Sequence, residues 1–85
     1  MKEYRIRLER EGYHSLWFSG IRPPFESSTH YRFTVKTKHA CIIKGEGSVF
    51  ALIERLRGDG SNMDRIVMEV WDDELQAFID VLSIG

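Results

Sequence analysis

The chain has one cysteine in 85 residues, two prolines, and no apolar run approaching the ~20 residues of a membrane span. Each shortage excludes something. A single thiol, Cys41, cannot build an internal disulfide framework or an all-cysteine metal cage. Two prolines, both at 23–24, exclude a collagenous chain. Without a long apolar run, no membrane partner is expected. The opening Met-Lys-Glu-Tyr-Arg-Ile-Arg lacks the apolar core of a secretory signal, so a cytoplasmic location is expected. Internal repeats and low-complexity tracts are also missing.

What is present is a globular composition, 42% hydrophobic, 12% aromatic and 29% charged. The length suits one domain spanning 1–85. A core of this size leaves little room for an enclosed substrate cavity of roughly 300–1,000 Å³, which favours a binding or regulatory protein over an enzyme. The net charge of −1 conceals a division. Residues 1–45 carry nine Lys/Arg and four Glu, a net +5, whereas 46–85 carry three Arg and nine Asp/Glu, a net −6. Such asymmetry points to interaction surfaces, or to halves that neutralise each other on packing.

Alternation of apolar and polar residues predicts strands at Lys2–Glu9, His14–Ser19, His30–Thr37, Ala40–Lys44 and Arg65–Trp71. The segment 20–29, with its two prolines, reads as a loop. Val49, Leu52, Ile53 and Leu56 form one helical stripe, started by Ser48 as N-cap and stopped at Gly58. Leu75, Phe78, Ile79 and Leu82 repeat the same i, i+3, i+4, i+7 spacing, which predicts a second helix capped by Asp72 or Asp73. The fold class read from this order is α+β: a mainly antiparallel four- to five-stranded sheet, β-β-β-β-α-β-α, with both helices on one face. The expected core is Phe33, Ile42, Leu52, Ile53, Met68, Val70, Phe78 and Ile79.

Motifs for chemistry are weak. His39 and Cys41 lie two apart, but nothing supplies the third group that orients a Cys–His nucleophile. His14, His30 and His39 lack metal-ligand spacing, and Asp59, Ser61 and Asp64 lack the glutamate that completes a calcium loop. Gly45-Glu46-Gly47-Ser48 lacks the lysine of a phosphate loop, and Glu46 repels anions. Arg57-Gly58-Asp59 is explained by a helix end, and Asp72-Asp73-Glu74 by helix capping. No catalytic residue, metal or cofactor is expected.

Two surfaces remain. The sheet face away from the helices is expected to carry Arg5, Arg7, Trp17, Arg32, Lys36 and Trp71, with Cys41, Ile43 and Val67 beside them. Arginine and aromatic anchors suit a protein partner, and stacking over basic residues suits RNA or single-stranded DNA. The acidic half offers Asp59, Asp64, Glu69, Asp72, Asp73, Glu74 and Asp80 as a partial mimic of a phosphate backbone. The leading expectation is a small non-enzymatic interaction protein on a larger protein partner. Its most concrete version is a phage-type inhibitor of a nucleic-acid-handling complex, such as an anti-nuclease. A homodimer through the open sheet face or an edge strand is a further expectation. The alternatives are a nucleic-acid-binding module on the basic strands, and a small enzyme of unrecognised type.

Overall fold

The computed structural model describes residues 1–22, 30–58 and 63–85. Of the loop expected over 20–29, residues 20–22 instead continue the second strand and pair with the third, and 23–29 lie outside the described residues, as does Asp59 with its neighbours to 62. The chain folds as α+β. Strands β1 (Glu3–Glu9), β2 (Leu16–Arg22), β3 (His30–Thr34) and the short β4 (Ile43–Lys44) precede helix α1 (Glu46–Gly58), and β5 (Arg65–Asp72) and β6 (Ala77–Ile84) follow it. The sheet order is β3-β2-β1-β5-β6, all antiparallel, with β4 on β1.

β1 is the central strand because its two faces have different tasks. Tyr4, Ile6 and Leu8 are buried beneath α1, and their cross-strand partners on β5 are Val70, Met68 and Ile66. α1 lays Val49, Ile53 and Leu56 on that surface, with Leu52 half-buried beside them. The predicted helical stripe is therefore the helix's core side, at roughly 1.5–3 kcal/mol for each large side chain withdrawn from water. Phe18 extends the core onto β2 and meets Tyr31 and Phe33 of β3 in tilted and edge-on ring contacts.

The helix begins two residues before Ser48. Gly45 adopts φ +91°, a left-handed conformation that favours glycine, and its carbonyl accepts the N–H of Val49 at 3.3 Å. Glu46 then lies at the positive end of α1, and Arg55 and Arg57 at the negative end.

Two expected strands are shorter than their alternation suggests. The chain leaves β3 after Thr34, makes a 3₁₀ turn at Thr37–His39, and re-enters the sheet only at Ile43. The physical reason is that one edge of β1 is shared. β2 pairs with Arg7 and Leu8, whereas β4 pairs with Glu3 and Tyr4. The Cys41 N–H donates to the Phe18 carbonyl at 2.8 Å and closes the gap where β2 diverges. Cys41 and Ile43 consequently pack against the core, not on the open face where they were expected, and Ile42 is exposed.

The second helix is not formed. Asp72 accepts the N–H groups of Glu74 and Leu75, Gln76 takes φ +52°, and the chain turns back as β6 along the whole of β5. Ile79 and Leu82 share a face although they are three apart, because Val81 is an extra residue: Met68 pairs with Leu82, and Glu69 with Asp80. A bulged strand has thus reproduced helical spacing. Of the expected core, Ile53 and Met68 are buried and Phe33, Leu52 and Val70 are partly buried. Ile79 is 36% exposed, and Phe78 lies on the opposite face.

Candidate functional site

Among the described residues one helix covers one face of the sheet, and the other face is left to its own side chains. The register places Arg5 and Arg7 of β1 beside Glu69 and Val67 of β5, Trp17 of β2 beside Arg7, and Phe78 and Asp80 of β6 beside Trp71 and Glu69. Alternation along each strand turns all of them away from α1.

At the centre is Glu69, a carboxylate whose side chain is only 3% exposed on the face away from α1. Arg5 Nε donates to one carboxylate oxygen and Arg7 Nη1 to the other. The Trp17 indole N–H adds a third donor at 3.3 Å. Arg7 then forks onto Asp80 through both terminal nitrogens, at 3.0 and 2.8 Å, and reaches Glu9 through Nε at 3.1 Å. Burying a charge is costly unless it is paired and hydrogen-bonded, and Glu69 has both. The hydrogen bond from Arg7 holds the Asp80 carboxyl below the usual carboxylate range, and the same contact raises Arg7.

Aromatic rings frame the ion pairs. The Arg5 guanidinium carbon sits 4.1 Å from the Phe78 ring centre and 5.6 Å from that of Trp17. Trp71 meets Phe78 edge-on at 5.3 Å and donates its indole N–H to Asp73 at 2.7 Å. Every part of this cluster is held by another part, so its long side chains are already ordered.

Four residues expected on this face, Arg5, Arg7, Trp17 and Trp71, are therefore brought together. Arg32 and Lys36 are exposed on β3 and just after it, with β2 between them and β1. The acidic residues disperse. Glu69 and Asp80 are taken up by the arginines of the basic half. Asp72 shapes the β5–β6 turn, Asp73 holds Trp71, and Asp64 accepts the Glu11 N–H at 2.7 Å at the far end of β5. Glu74 is exposed in the turn. Phe78 was missed as a surface residue. Its signal was the alternation Phe78, Asp80 that the helical spacing overrode.

His39 is exposed and Cys41 half-buried, and no cluster of three metal-ligating side chains occurs among the described residues. No helix among them is long and apolar enough to cross a membrane. A cleft between the β1–β2 turn and the start of β5 is lined by Glu9, Glu11, Tyr13, Asp64 and Arg65, and is open to solvent. Set against known proteins, the chain matches no family model, no curated protein and no solved structure.

Proposed function

We propose that the chain is a non-enzymatic interaction protein that docks on a larger protein through the Arg5–Trp17–Trp71–Phe78 face of its sheet. The observation that carries this reading is the buried Glu69, which clamps Arg5 and Arg7 and so holds Arg5 over the Phe78 and Trp17 rings. Binding energy at protein interfaces concentrates on tryptophan, tyrosine and arginine anchors. Ordering such side chains costs about 0.5–1.5 kcal/mol each on association, and an anchor already held avoids much of that cost.

The charges on this face favour protein over nucleic acid. Arg5 and Arg7 are balanced by Glu69 and Asp80, so the surface lacks the uncompensated positive field that attracts a phosphate backbone. The acidic-mimic version of the reading has weaker support, since Glu69, Asp72, Asp73 and Asp80 all have partners within the fold. A basic groove on the partner that accepts Asp64 and Glu74 remains compatible with it.

The test is capture of binding partners with the intact protein, Trp17→Ala, and the acidic pair Asp73→Asn/Glu74→Gln, each with and without nuclease. A partner that survives nuclease, is lost with Trp17→Ala and is kept by the acidic pair is the expected result. Loss on nuclease treatment would move the assignment to RNA or single-stranded DNA stacked on the same rings. Loss only with the acidic pair would move it to the mimic.

A further inference from the structure

β6 is the edge of the sheet, and among the described residues no strand pairs with its outer side. Proteins guard exposed edges with lysine, proline, shortness or an inward charge. β6, Ala-Phe-Ile-Asp-Val-Leu-Ser-Ile, is eight residues long and has neither lysine nor proline. Its single charge, Asp80, is spent on Arg7. On the helix side, Ile84 packs against the core, whereas Ile79 and Leu82 are 36% and 37% exposed; Val81 in the bulge is 52% exposed.

We infer that β6 pairs antiparallel with β6 of a second copy of this chain, in the register that sets Ile79 against Leu82 and Ala77 against Ile84. The bulge selects this register. Because Val81 shifts the alternation, Ala77, Ile79, Leu82 and Ile84 lie on the helix side, and Phe78, Asp80 and Ser83 on the other. Pairing Ala77 with Ile84 matches like faces along the full strand: Ile79 with Leu82, and Phe78 with Ser83. Asp80 then opposes Val81. A shift by one residue in one direction would set Asp80 against Asp80, and in the other would match helix-side residues with open-side ones.

Charge complementarity points to the same occupant. In this register the turn carrying Asp73 and Glu74 lies beside the other end of the second copy's sheet. There Arg57 lines a cleft with Ile84 and Gly85. Arg57 is half-exposed, and its one long ion pair, to Glu54 at 3.4 Å, leaves it available. The apolar strip and the paired backbone together bury on the order of 500 Å² per copy, below the standard interface and suited to micromolar association. The two aromatic faces become continuous across the junction.

Sedimentation equilibrium from about 1 to 300 µM tests this, with folding of each variant checked by circular dichroism. The wild type is expected to dimerise. Val81→Asp places two aspartates opposite two others about the two-fold axis and should raise the dimer Kd roughly tenfold or more. Val81→Lys, equally polar but opposite Asp80, should leave the Kd within about threefold of wild type. Ile79→Cys/Leu82→Cys in a Cys41→Ser background should give a covalent dimer on oxidation, since directly opposed Cβ atoms lie about 4.5–5.5 Å apart. A monomer at 300 µM, equal effects of Val81→Asp and Val81→Lys, or a dimer without cross-linking would each overturn the assignment.

Discussion

Glu69→Gln is the most informative single change. It preserves shape and removes one charge from a side chain that is 3% exposed. The two arginines it joins are themselves only 16% and 18% exposed, so water cannot fully replace the lost carboxylate. Their situations differ. Arg7 keeps Asp80 and Glu9, whereas among the described residues Arg5 keeps the faces of Phe78 and Trp17. Removing one member of a buried pair costs about 3–5 kcal/mol, and partial access of water to Arg5 puts the value here near the low end, about 3 kcal/mol. At about 4–8 °C per kcal/mol for a chain of this size, the melting temperature should fall by roughly 12–24 °C. Arg5→Met/Glu69→Leu removes both charges and leaves Arg7 paired. It should cost less than Glu69→Gln alone, because an apolar pair of similar volume needs no compensation. Urea titration of the wild type, Arg5→Met, Glu69→Leu and the double variant measures the coupling directly, with Glu69→Gln titrated alongside. If Glu69→Gln stays within about 1 kcal/mol of wild type, the cluster is screened by solvent and the account of a clamped, buried carboxylate fails.

Three further outcomes follow from the same geometry. Ile53→Ala should cost roughly 2–5 kcal/mol in the same urea assay, while Ile79→Ala in the isolated protein should cost under about 1 kcal/mol, because the first is fully enclosed and the second lies at the open edge. Gly45→Ala should lose about 1–3 kcal/mol, since an alanine Cβ is strained at φ +91° and would come within 3.3 Å of the Met1 sulfur. Asp80→Asn tests the lowered carboxyl: the contribution of Asp80 is present above the unfolded carboxylate pKa of about 3.9 and is lost as pH falls through the still lower folded value. The stability gap between wild type and variant should therefore be under about 1 kcal/mol at neutral pH, given a side chain 57% exposed, and should close in strong acid.

What could be read from the sequence was set by local rules, and what could not was set by partners distant in the chain. Strand β1, helix α1 and strand β5 each carry an unbroken pattern of one period, and each lies close to where that pattern puts it. Segment 77–84 carries two patterns at once. A bulge makes Ile79 and Leu82 neighbours on a strand, as a helical turn would, and only pairing with β5 along its whole length decides between them. The β-branched Ile79, Val81 and Ile84 were the local signal for a strand. The site was legible in the same partial way. Arg5, Arg7 and Trp17 follow from alternation within their own strands. The carboxylate that organises them comes from more than fifty residues away, and nothing near Glu69 in the chain marks it out from its acidic neighbours.

The position of β1 also bears on how the chain folds. Its partners Leu16 and Trp17 are supplied almost at once, but the partners on its other side, Arg65 to Val70, come some 56–66 residues later. The β5–β6 hairpin closes through a short turn on a timescale of about 1–10 µs, whereas joining it to β1 requires closure of most of the chain. During synthesis at roughly 5–20 residues per second, β1 therefore waits several seconds with one edge unpaired. Helix α1 emerges before β5 and can shelter Ile6 and Leu8 in that interval. The open edge of β1 is then protected by its own Arg5 and Arg7, whose charges are balanced only when Glu69 arrives. The same two charges that knit the finished sheet thus keep the unfinished one from pairing with the wrong chain.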